Sequence, residues 1–168
     1  VLQSVQKLKQ LKKEKGKFYA TLITLSNHTP FEDTDKYGYY DVSMTVDGVK
    51  YDYMENTKLG NYFKSVHYAD EQIGLLIEEL EKENMLDDTV IVIYGDHDAR
   101  ISKSEWDRFY NYDYRTNDVK SSSDETYINI DYYFYELNKK VPFIIWSNDE
   151  KFKTSLSGEI TTVGGMVD

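Results

Sequence analysis

Asp88-Thr89-Val90-Ile91-Val92-Ile93-Tyr94-Gly95-Asp96-His97 is the stretch that decides the fold class. Thr89 to Tyr94 is a β-branched run of strand length, and after it the chain changes abruptly to glycine and polar residues. It therefore reads as a buried strand whose carboxyl end presents an acid and an imidazole side by side. Gly95 is expected to permit the sharp exit that aims both outward. Just upstream, residues 57–85 form the clearest helix of the chain. Leu59, Tyr62, Phe63, Val66, Ala69, Ile73, Leu76, Ile77 and Leu80 fall on one stripe, and Glu78, Glu79, Glu81 and Glu83 take the wet side. A turn at Asp87-Asp88 joins helix to strand.

Further upstream, Val1, Val5, Leu8 and Leu11 recur at helical spacing among lysines and predict an amphipathic helix over residues 1–14. Phe18 to Leu25 is short, apolar and rich in β-formers, as expected of a strand buried on both faces. It runs into Ser26-Asn27-His28-Thr29-Pro30, where proline and locally bonding polar side chains predict a loop. Residues 31–56 are Tyr-rich and polar, with a favoured hairpin pair at Asp47-Gly48, and predict a surface β-ribbon. Downstream, residues 99–140 are polar and offer two weak helical segments, around Trp106 and from Tyr133 to Leu137. Pro142 to Trp146 predicts another buried strand, and Ile160 to Val163 a last one. Strand and helix thus alternate, which predicts an α/β fold: a mostly parallel sheet flanked by helices, in a single domain over residues 1–168.

Composition removes several function classes. The 168 residues carry 30 acidic against 20 basic side chains, a formal net charge of -10, so nucleic acid is not an expected partner. The lysines at 7, 9, 12, 13, 15 and 17 read as a solvated helix face. Without cysteine there is neither a disulfide framework nor a thiolate site, and any metal must be held by oxygen and imidazole ligands. No apolar run approaches the ~20 residues that span a bilayer. The absent initial methionine and the ending Gly164-Gly165-Met166-Val167-Asp168 suggest an excised fragment.

Ligand sites in open α/β sheets form at the carboxyl ends of strands. Parallel pairing of residues 18–25 with residues 89–94 is expected to bring His28 to the same edge as Asp96 and His97. An adjacent Asp and His offer one hard oxygen and one borderline nitrogen, a set that suits zinc, manganese or iron better than calcium. Asp98 reads equally as a further ligand, a turn residue or a partner for His97. His67, beside the apolar stripe, reads as a packed, hydrogen-bonded histidine. The tyrosines suit either a sugar or glycerol pocket or ordinary loop packing. No Ser-His-Asp arrangement, phosphate-cradling glycine loop or cysteine nucleophile stands at convincing spacing.

In order, Phe18 to Leu25, Ser26-Asn27-His28-Thr29-Pro30-Phe31, Val66-His67-Tyr68-Ala69-Asp70 and Asp88 to His97 resemble the sulfatase-like branch of the alkaline phosphatase superfamily. Within it, they are most similar to the extracellular phosphoglycerol transferases that build lipoteichoic acid. Val141-Pro142-Phe143-Ile144-Ile145-Trp146 and Thr161 to Asp168 look like the same family's later strands. The resemblance implies an incomplete alkaline phosphatase/sulfatase-like fold, the C-terminal portion of a catalytic domain. It implies a divalent metal, manganese in these transferases, held by an acidic residue, a nucleophilic threonine and an Asp-His pair. Only the pair has a counterpart, at Asp96 and His97, while His28 matches the histidine that contacts substrate phosphate. The threonine and the first acid belong to an upstream segment, so the fragment alone is expected to be inactive.

For the parent protein the resemblance implies a phosphoglycerol group carried on the threonine and passed to an acceptor hydroxyl. Its expected partners are a phosphatidylglycerol-like lipid and a glycerophosphate polymer. Its expected place is the extracellular face of the cell membrane, anchored by segments outside this chain. Two other readings remain open: a sulfatase or other phosphotransferase of the same superfamily, and a non-catalytic wall-binding domain.

Overall fold

A computed structural model of the chain describes residues 2–32 and 34–149. In chain order the elements are α1 (Leu2–Lys15), a 3-10 turn (Thr34–Lys36), β1 (Met44–Val46), β2 (Val49–Tyr51), α2 (Lys58–Lys82), β3 (Val90–Tyr94), α3 (Lys103–Asn111), β4 (Tyr112–Asp113), β5 (Asp118–Val119), α4 (Tyr132–Leu137) and β6 (Phe143–Ser147). They divide between two compact units, one holding residues 2–25, 69–97 and 141–149, the other holding 26–32, 34–68 and 98–140. The strand expected at Ile160 to Val163 lies outside the described residues.

In the first unit, α1 buries Val5 and Leu8, three residues apart and so on one face. They join Leu76, Leu80, Met85 and Leu86 in one core, with Ile77, Ile91 and Trp146 packed against it. The end of α1 is closed by Gly16 at φ 71, whose N–H donates to the Lys12 carbonyl at 2.9 Å, a left-handed cap that glycine adopts without steric penalty. The lysines of α1 are more than a solvated face. Lys9 pairs with Glu83 at 2.7 Å and Lys12 with Asp88 at 3.1 Å, linking the helix to the turn before β3.

β3 pairs with β6 antiparallel, Val92 opposite Ile145, and each described strand pairing in the chain is antiparallel. The mostly parallel sheet expected from alternating elements is therefore not what the described residues form. Nor do residues 18–25 form a strand; Tyr19, Ile23 and Leu25 are 88%, 84% and 76% exposed. A β-forming run becomes a strand only when a neighbouring strand completes its ladder, and none pairs with it among the described residues.

The second unit is built on aromatic packing. Phe31, Val42, Met54, Leu59, Ile101, Trp106 and Ile130 form its core. Around it Phe63 meets Phe109 edge-on at 5.6 Å and Tyr110 meets Phe134 at 5.1 Å, geometries that the ring quadrupole favours. The ribbon expected in residues 31–56 is present as the β1–β2 hairpin, turning at Asp47 and Gly48 with φ 50 and 77, the two positive values of a tight hairpin turn. Both weak helical segments are helices. α3 starts at Ser102, whose side chain accepts from the Glu105 amide, and α4 starts at Asp131, which accepts from Phe134. Between them, buried Asn111 donates to the Ile128 carbonyl at 2.8 Å and accepts from its amide at 2.6 Å, fastening the stretch that follows β5.

Candidate metal and phosphate-contact residues

Asp96 and His97 leave β3 within the first unit. Gly95 is required there by close approach rather than by an unusual turn: its φ is not among the positive ones, but a Cβ on it would lie 2.9 Å from that of Val141. Its N–H donates to the Pro142 carbonyl at 3.2 Å, holding the strand end against the start of β6. The Asp96 side chain is 80% exposed and that of His97 23%. The Asp96 carboxylate accepts from the His97 backbone amide at 3.0 Å, and the same Oδ1 lies 4.0 Å from His97 Nε2.

Two ligands of one cation with bonds of about 2.1 Å stand about 3.4 Å apart in tetrahedral geometry, so at 4.0 Å the two groups are wider than a bound pair and would have to close by about 0.6 Å. Their chemistry, one carboxylate oxygen and one imidazole nitrogen, is of the kind zinc or manganese accepts. Among the described residues no group of three or more His, Asp or Glu side chains is placed to hold a metal ion. The Asp98 carboxylate accepts from the Arg100 amide at 2.8 Å, the geometry of a turn residue.

His28 belongs to the second unit and is exposed. Its Nδ1 lies 2.6 Å from the Thr29 carbonyl oxygen, and because a carbonyl only accepts, the proton sits on Nδ1. The loop is anchored two ways. Tyr37 donates its hydroxyl to the Ser26 carbonyl at 3.4 Å, and Phe31, 2% exposed and at φ 62, sits against the Tyr62 ring at 5.4 Å. Phe31 is the positioning residue that sequence reasoning passed over. Its signal was an aromatic directly after the loop's proline, but its left-handed backbone is visible only in the fold. His67 is packed as expected, stacked on Tyr40 at 4.4 Å. Tyr62 has its hydroxyl pushed up in pKa by burial, with the Asp98 charge adding to it.

The family behind these residues is identifiable. A family model described as Sulfatase matches residues 2–163, and the chain belongs to that family. Lipoteichoic acid synthase 1 of Bacillus subtilis (strain 168) is 37% identical over 97 residues, which is 58% of this chain and 13% of that protein. The lipoteichoic acid synthase of Staphylococcus saprophyticus is 40% identical over 91 residues, 52% of this chain and 12% of that protein. The crystal structure of the lipoteichoic acid synthase LtaP from Listeria monocytogenes superposes with a TM-score of 0.52 at 29% identity, over 86% of this chain and 31% of that one. The α/β, alkaline phosphatase-like fold is thereby established, and the chain spans about an eighth of the length of the curated relatives it matches.

Proposed function

We propose that this chain is the C-terminal portion of the single catalytic domain of a phosphoglycerol transferase that assembles lipoteichoic acid or a related envelope polymer. The observation that carries the reading is the adjacent Asp96 and His97 at the end of β3 in a sulfatase-family chain similar to two lipoteichoic acid synthases. In this reading Asp96 and His97 hold a divalent cation, manganese, through one carboxylate oxygen and one imidazole nitrogen. The cation, when bound, supplies positive charge against phosphoryl oxygens. His28 contacts the substrate phosphate. With its proton on Nδ1, its Nε2 is an acceptor in the neutral ring and a donor to phosphate only as the imidazolium. The nucleophile and the first acidic ligand come from sequence before this chain, as do the membrane anchors that hold the domain at the outer face. No helix among the described residues is long and apolar enough to cross a membrane. The donor is a phosphatidylglycerol-like lipid and the product a glycerophosphate polymer.

The test uses the longer protein with a fluorescent phosphatidylglycerol analogue and measured metal content. His97→Ala and Asp96→Ala should each lower bound manganese and cut turnover by at least about 100-fold. His28→Ala should cut turnover while leaving the metal in place. Unchanged turnover in His97→Ala overturns the reading.

A further inference from the structure

Within the second unit, an open cavity of about 450 Å³ is lined by Thr34, Asp35, Gly38, Tyr39, Tyr40, Glu55 and Lys64. That volume falls in the range of small-ligand sites, about 300–1,000 Å³. Three features of its lining bear on what it accepts. The first is a pair of tyrosines. Tyr39 is 79% exposed, and Tyr40 is backed by the His67 ring, stacked at 4.4 Å and 23°, so that only its other face is open to a ligand. The second is a polar pair already assembled: Lys64 Nζ contacts Glu55 Oε2 at 2.7 Å, with side chains only 18% and 29% exposed. The third is charge. Asp35 and Glu55 against Lys64 leave one net negative charge, which repels phosphate.

We infer that this cavity is a binding site for an uncharged hexose ring. Aromatic faces offer the flat apolar surface that the C–H face of a pyranose covers, at small entropic cost because tyrosine has few rotamers. The hydroxyls of the same ring need acceptors and donors at its rim, and Asp35, Glu55 and Lys64 supply both. Glycerol phosphate has hydroxyls but no flat C–H face to cover an aromatic ring, and its phosphate meets an unfavourable charge. None of Asp96, His97 and His28 is among its lining residues, and it stands or falls independently of the proposed transferase activity.

The experiment is saturation-transfer NMR on the full chain with methyl glucoside, methyl galactoside and methyl N-acetylglucosaminide, and with glycerol 3-phosphate and inorganic phosphate alongside. At least one hexoside should receive saturation at its ring C–H protons, undiminished by added salt because no ligand charge is involved. Tyr39→Ala, at an exposed position whose loss leaves the core intact, should weaken that binding about five- to tenfold, and Tyr40→Ala by at least as much. The inference is overturned if no hexoside binds, if Tyr39→Ala binds as well as the native chain, or if the phosphates bind more tightly than the hexosides.

Discussion

Asp41 shows how one side chain ties the pH response to a local structure. The Ser43 hydroxyl and amide, the latter at 2.9 Å, hold its pKa down from 3.8 to about 2, with Tyr39 and Lys50 adding to the effect. A carboxyl depressed in the folded state adds stability above its unfolded pKa and loses it as the pH falls through the folded one. The β1–β2 hairpin should therefore loosen as the pH drops from about 4 to about 2, more weakly at high salt because Asp41 is exposed. Amide exchange of Met44–Tyr51 measures this, and Asp41→Asn should remove the acid dependence; a hairpin whose acid response is the same in the variant contradicts the assignment. At Phe31, truncation to Ala removes a fully buried ring, a loss of about 3–5 kcal/mol in global stability. A denaturant titration showing less than about 1 kcal/mol would remove Phe31 as the anchor of the His28 loop.

Elements in this chain were legible where their signal is local. α1, α2, β3 and β6 follow their hydrophobic periods to within a few residues, and the β1–β2 turn follows from Asp47-Gly48. Residues 99–140 were poorly legible because their organisation rests on contacts between distant residues. Asn111 reaches Ile128, 17 positions on, and Tyr127 donates to Asp107 at 2.8 Å. No period or turn pair announces such a clasp. Asn111→Leu strands the amide and carbonyl of Ile128 and should cost about 2–4 kcal/mol, read as a lower denaturation midpoint. In α2, Gly60 is a second hidden constraint, since a Cβ there would lie 2.0 Å from the Met54 carbonyl oxygen, which also accepts from Thr57. Gly60→Ala should break that helix start, seen as lost helical circular dichroism, whereas Gly74→Ala, with open space around it, should be tolerated.

For the molecule as a whole, the first unit leaves apolar surface open. Val90, Val92, Tyr94, Phe143 and Ile144 of the two-stranded β3–β6 sheet are each between 46% and 57% exposed. A two-stranded sheet is marginal in water without further strands or a packed face. The 168-residue chain should therefore bind a hydrophobic dye that the longer protein of the proposed reading does not, and equal dye binding by both would show that those faces are not covered in the longer protein. By itself the sequence determined the helices, the β3 strand, the hairpin turn and the adjacency of Asp96 and His97, because each depends on residues close together in the chain. Only the tertiary structure decided that β3 pairs antiparallel with β6 and that residues 18–25 have no ladder among the described residues. It also placed Tyr39, Tyr40, Glu55 and Lys64 around one cavity. Strand partners and cavity walls are chosen by contacts between segments far apart in sequence, and their energies are not written in any local pattern.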